Sequence, residues 1–188
     1  MSLVKNRSFI DIDTQKQLLW GGMGAIAMFF AGLTSAYIVR KAEGNWVEFI
    51  LPEWFWYSTI TIVLSSVVLI LAKQKIKQDK SVFGLVLSVF MLGLLFSFFQ
   101  LNGWEELTNQ GVYLTGAGSN VSGSFLYVLT LSHLAHLIGG LIALLVTAIN
   151  AKRNKYSAEN YLGLEITSIY WHFLSILWIY LFCFLKYL

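Results

Sequence analysis

Residues 124–149 read SFLYVLTLSHLAHLIGGLIALLVTAI, an apolar run with no Asp, Glu, Lys or Arg. As a helix rising about 1.5 Å per residue, such a run exceeds the roughly 20 residues needed to cross a hydrocarbon core. Working outward, four more runs have the same character: 18–39, 54–72, 82–101 and 163–185, with Glu165 their only charged residue. A transmembrane barrel would instead show alternating segments of about 10 residues. The reading is therefore all-α: a bundle of five transmembrane helices forming one domain over residues 1–188. Helices satisfy every backbone group internally, as lipid requires.

Composition agrees. Of 188 residues, 57% are hydrophobic and 12% charged, against about a quarter charged in soluble domains, and the mean hydropathy is +0.66. The single cysteine, Cys183, lies inside an apolar run, which excludes an intrachain disulfide. Residues 18–39 outrun the 7–15-residue core of a cleaved signal, so the first helix is expected to be retained. A net charge of +3 does not indicate a nucleic-acid partner, because the basic residues form short clusters between apolar runs.

Those clusters set the expected orientation. Ten of the thirteen Lys and Arg fall on one side: Lys5, Arg7 and Lys16; Lys73, Lys75, Lys77 and Lys80; Lys152, Arg153 and Lys155. By the positive-inside rule the N-terminus is cytoplasmic and the C-terminus periplasmic. Glu43, Glu48, Glu53, Glu105 and Glu106 then lie outside, and Trp46, Trp54, Trp56, Trp104 and Tyr113 near the outer boundary form an aromatic belt. Pro52 and Glu53 mark the start of the second helix; Ser81, and Ser122 or Ser124, are the expected N-caps of the third and fourth. The connection 102–123, with Gly103, Gly111, Gly116, Gly118 and Gly123, reads as an irregular loop.

Polar groups inside the membrane are costly and each needs a reason. Glu165, Ser168, His172 and Ser175 recur on one face of the fifth helix; His133, His136, Gly140 and Ala143 share a face of the fourth. That spacing turns both faces into the bundle, and small residues permit close helix approach. Counting along the helices puts His133 and His136 roughly 14–18 Å from the outer end, and His172 a similar distance from the inner end. All three imidazoles could meet near the midplane. Three readings stay open: interhelical hydrogen bonds by neutral imidazoles, each worth about 0.6 kcal/mol; a lipid or proton-related site with Glu165 at the cytoplasmic interface and headgroup ligands Lys152, Arg153 and Lys155; and a metal or haem site, for which imidazole is a common ligand but no carboxylate or thiolate stands at a familiar spacing.

The order of the motifs goes further than the physics. Ser122-Gly123-Ser124-Phe125-Leu126-Tyr127, then Thr130, His133, His136 and Gly140, resemble a stretch of subunit III of haem-copper terminal oxidases. Gly163-Leu164-Glu165, Tyr170-Trp171-His172-Phe173 and Trp178 resemble the same family's last helix. Met28-Phe29-Phe30-Ala31-Gly32-Leu33 with Ala36-Tyr37, and Phe99-Gln100 with Trp104, resemble its earlier ones. This chain looks like a five-helix form lacking the first two helices of longer members. Two positions depart from the pattern: Ile26 stands where the family often has a carboxylate, so no role of that carboxylate carries over, and Ser175 stands where it has an aspartate.

The resemblance implies a non-catalytic subunit of the aerobic respiratory chain in the bacterial inner membrane. It would dock on catalytic subunit I and other oxidase subunits, within a larger respiratory supercomplex or outside one, and support oxygen reduction and proton pumping. No catalytic residue, metal or cofactor of its own is expected; haem and copper would lie in partner subunits, with structural phospholipid bound here. His133, His136, Glu165, Tyr170, Trp171 and His172 become lipid-cleft or structural polar positions. Rival readings are an accessory subunit of a quinol oxidase or nitric-oxide reductase, and a stand-alone haem b or quinone-binding subunit. A rhomboid-type protease matches at Ala135-His136-Leu137-Ile138-Gly139, but residues 116–123 supply no Gly-x-Ser-Gly nucleophile.

Overall fold

The computed structural model describes the chain except Met1, Asn45 and Ala117, with side chains from Thr14 onward. It contains five α-helices: α1 Ser2–Ala42, α2 Trp54–Ile76, α3 Phe83–Asn109, α4 Val121–Lys152 and α5 Leu162–Tyr187. Among the described residues there is no strand. By length and composition all five can cross a membrane, the first over Thr14–Ala42. Large apolar side chains face outward along every helix, among them Met28, Ile60, Met91, Ile142 and Ile176. Such a surface suits acyl chains and would drive aggregation in water.

α2, α3, α4 and α5 pack in a ring, each touching its two neighbours, and α1 lies against α4 and α5 from outside. At the centre stands Trp171 of α5, fully buried. Its indole nitrogen donates to Ser65 Oγ of α2 at 2.9 Å. Its ring lies against two glycines: a Cβ added at Gly93 of α3 would meet Trp171 and Leu141 at 2.7 Å, and one at Gly140 of α4 would meet Leu174 at 3.0 Å and Trp171 at 3.2 Å. One side chain of α5 thus touches all three other members of the ring. Glycine at 93 and 140 is what allows the backbones so close.

The helices run past the apolar stretches that announce them. α2 and α4 continue by about a turn into Lys73, Lys75 and Lys152, where cations meet the negative end of the helix dipole. The largest correction concerns residues 102–123, expected to be loop. α3 runs on to Asn109, held by Trp104 Nε1 donating to Thr130 Oγ1 of α4 at 3.0 Å. Gly103, read as a helix breaker, is the seat of the Phe55 ring, which a Cβ would approach to 2.8 Å. The breaker is Gly111: with φ at 81° it lets Val112 N reach back to Leu107 O at 2.9 Å, closing a Schellman turn. Asp79 and Asn154 close α2 and α4 in the same way, with Lys80 N bonded to Lys75 O and Lys155 N to Asn150 O.

The expected caps also change. Val82, without a side-chain bond, precedes α3 in place of Ser81. Asn120 caps α4, its Oδ1 accepting from Gly123 N at 2.7 Å. Ser122 instead donates to Val47 O, and Ser124 to Leu114 O, both at 2.7 Å, tying the connections before α2 and before α4 to the start of α4.

Overpacking at the centre should be felt. Gly93→Val is expected to lower the thermal midpoint of the detergent-purified protein, by the equivalent of about 1–3 kcal/mol. Gly32→Val, where an added Cβ meets nothing within 4 Å, should leave it near the parent. Equal midpoints for both would show that the close approach at Gly93 is not formed.

Candidate functional site

The polar residues singled out from the sequence do turn inward, but into different seams. On α5, Ser168 and Ser175 are buried and His172 is half-buried, on the predicted face. Ser175 Oγ donates to Trp171 O at 2.9 Å and accepts from Ser66 Oγ at 2.8 Å. Ser66 then accepts from His172 Nδ1 at 3.2 Å, and this network puts the ring proton on Nδ1. Trp178 Nε1 donates to Thr59 Oγ1 at 2.9 Å. The seam between α2 and α5 is thus a ladder of side-chain hydrogen bonds.

His136 looks the other way, toward α1. Its Nδ1 donates to Ser132 O at 2.7 Å, and its ring lies 5.8 Å from Phe30 and 6.4 Å from Phe29. Tyr170 spans α5 to α4, donating to His136 O at 3.2 Å. His133 is fully buried between the rings of Phe96 and Trp178, at centroid distances of 5.9 and 5.2 Å. The expected meeting of three imidazoles therefore does not occur: among the described residues no hydrogen bond or ring contact joins two of them. Their helices share the bundle, but the rotation of each side chain assigns it to a separate neighbour. Among the described residues no three His, Cys, Asp or Glu side chains come together as a metal would require.

Glu165 sits in the first turn of α5, its side chain 26% exposed, between Lys16 of α1 at 3.0 Å and Lys73 of α2 at 3.9 Å. This carboxylate joins the start of α5 to α1 and to the end of α2, and it faces the positive end of its own helix dipole. Beside it, Ile70, Lys73 and Gln74 of α2 and Lys77 just after it, with Ser168, Ile169 and His172 of α5, line a groove of about 330 Å³. The sequence reading did not single out Lys73, Gln74 and Lys77, which line this groove. Their spacing along one face of α2, opposite Glu165, was the available signal. The headgroup candidates Lys152, Arg153 and Lys155 do not line this groove; all three are exposed, with Lys152 lying 5.9 Å above the Phe83 ring.

A bundle of five membrane-spanning helices, several of whose inward polar groups join one helix to another, defines a multi-pass membrane protein. Comparison with known proteins makes this specific. Residues 50–188 match the family described as cytochrome c oxidase subunit III. The chain is 32% identical over 176 residues to a Nocardia farcinica protein named "Probable cytochrome c oxidase subunit 3", covering 88% of this chain and 82% of that one. A Mycobacterium tuberculosis protein of the same name is 30% identical over 165 residues, covering 82% and 78%. A Staphylococcus haemolyticus "Probable quinol oxidase subunit 3" is 37% identical over 112 residues, covering 58% and 52%. The chain belongs to the cytochrome c oxidase subunit III family: it is a subunit III of a haem-copper oxidase, an oxidoreductase complex, and it associates with other subunits of that complex.

The bridge at Glu165 can be tested. Glu165→Lys would put three ammonium groups together at one end of the bundle and should reduce recovery of the assembled oxidase. Glu165→Gln keeps a polar acceptor and should be milder. Equal recovery with both variants would show that the bridge does not hold these helices together.

Proposed function

We propose that this chain docks on the catalytic subunit of a cytochrome c oxidase in a bacterial inner membrane, and that it sustains oxygen reduction and proton pumping there without carrying out either. The observation carrying this reading is the use made of the family-like polar residues. His136, Glu165, Tyr170, Trp171 and His172 all hold one helix to another or to its own backbone. Haem and copper belong, on this reading, to the partner subunit. Cytochrome c is preferred over quinol as electron donor because the relatives named for it match over about four fifths of both chains, and the quinol oxidase relative over about half.

The orientation is N-terminus cytoplasmic. Supporting it, Lys16, Lys73 and Glu165 lie at the same end of the bundle, and Asp79 Oδ1 in the turn after α2 accepts from Ala158 N at 2.7 Å in the turn before α5. The basic clusters thus gather on one side, as the positive-inside rule requires.

The groove at Lys73, Gln74 and Lys77 takes the headgroup of an anionic phospholipid, two ammonium groups meeting a phosphate at the depth where headgroups lie.

Two experiments test these readings. Mild-detergent purification through a tag on this chain should recover a haem-copper subunit, with any larger respiratory assembly following it. Recovery without such a subunit, or a Soret band stoichiometric with the chain alone, would overturn the docking reading. By native mass spectrometry, Lys73→Gln with Lys77→Gln should retain at most half of the phosphatidylglycerol held by the parent. Unchanged retention would remove the groove as its site.

A further inference from the structure

Every helix of the inner ring contributes to one polar spot that the assembly reading does not use. His133 of α4 is completely buried, and neither ring nitrogen has a hydrogen-bond partner within the described chain. Gln100 of α3, 1% exposed, donates through Nε2 to Ser58 Oγ of α2 at 2.8 Å, but its Oε1 has no partner. Ser58 cannot help, because its own proton goes to Phe55 O at 2.9 Å. Trp178 of α5 roofs the spot with its ring and sends its N–H elsewhere, to Thr59.

Register brings the two unsatisfied side chains to the same level. On α3, Phe96 packs against His133, and Trp104 bonds to Thr130 one turn away on α4. Gln100 lies midway between Phe96 and Trp104 on the same stripe of α3, so its amide falls beside the turn of α4 that runs from Thr130 to His133. A neutral imidazole has one donor and one acceptor, and a buried amide oxygen is a second acceptor. Orphaned buried groups of this kind cost about 1–3 kcal/mol each, and native interiors rarely leave them so. The complement of one donor and two acceptors is a molecule that both donates and accepts.

We propose that a single ordered water is bound here, donating to Gln100 Oε1 and hydrogen-bonded to a ring nitrogen of His133. Interior waters typically make two to four such bonds, and the site offers polar partners on two helices. The water joins α3 to α4 at the level where Gln100 already joins α3 to α2, so the three helices are linked through one polar knot inside an otherwise apolar ring.

The test is a density map of the assembled oxidase at a resolution that shows waters. A peak within hydrogen-bond distance of both Gln100 Oε1 and a His133 ring nitrogen is expected. A direct His133–Gln100 bond, or ring and amide with no such peak, overturns the proposal. Stability supplies a second reading with the full chain in detergent. His133→Phe keeps an aromatic ring between Phe96 and Trp178 but strands the Gln100 oxygen. His133→Phe combined with Gln100→Leu removes both polar groups and should melt closer to the parent than His133→Phe alone. A double variant whose loss is the plain sum of the two single losses contradicts the shared water.

Discussion

The constraint on which this bundle depends is the indole N–H of Trp171. In lipid there is no water to take up a donor exposed by a misplaced helix, so the nitrogen must find its partner on a neighbour, and it finds Ser65. Ser65 can accept because its own proton is turned back to Ile62 O at 2.6 Å. Thr59 does the same for Trp178, giving its proton to Phe55 O at 2.7 Å. Ser65 and Thr59 thus each satisfy their own helix and present a lone pair to α5. The two acceptors, Thr59 and Ser65, are six residues apart and the two donors, Trp178 and Trp171, seven, so the rungs stand about two turns apart on both helices. A slip of one residue would break its rungs together. Each rung is worth only about 0.6 kcal/mol on average, so the seam acts more by specifying register than by total strength.

Burial follows from that seam. Half of the span of α5 is enclosed and about a fifth of that of α1, because α5 meets α1, α2 and α4 while α1 meets only α4 and α5. α1 is fastened at two levels: by Lys16 to Glu165, and further along by Tyr180 Oη donating to Thr34 Oγ1 at 3.0 Å and Tyr37 against the Phe184 ring. The one carboxylate in an apolar run stands where its cost is least. A charge at the bilayer centre costs about 2.5–3.5 kcal/mol even by the milder scales; Glu165 is in a first turn, partly exposed, with two lysines beside it.

Much of this was legible in the sequence because lipid imposes a simple rule. An uncharged run of some twenty residues has one cheap conformation, so the number of helices and their polar faces could be read directly. The helix ends could not, since hydropathy measures where a chain can enter lipid and not where its backbone stops coiling. Gly103 and Gly111 illustrate the difficulty. Both look like breakers, yet one makes room for Phe55 and only the other adopts a left-handed φ. The histidines failed for another reason. Periodicity says that a side chain faces inward, but with three neighbouring helices around α4 and three around α5 it does not say which one. His133, His136 and His172 each chose differently. The end of α2 and the start of α5 were read separately, so the groove formed by their union went unseen.

The two departures from the family-like pattern fit this interior. A carboxylate at position 175 could not donate to Trp171 O as the Ser175 hydroxyl does, and it would bring a charge against Ser66 in the middle of the hydrogen-bond ladder. Ile26 packs, partly buried, with the cluster of Phe30, Leu177 and Leu181 that seats α1 on its neighbours. A carboxylate there would need a partner. In both places a neutral side chain does the joining, so charge inside the described spans is confined to the ends of the bundle and the middle relies on dipoles, hydroxyls and close packing. Such an interior cannot be held by long-range attraction. It depends on short contacts that are correct only in one register, which is why a fully buried indole, Trp171, sits where three other helices converge.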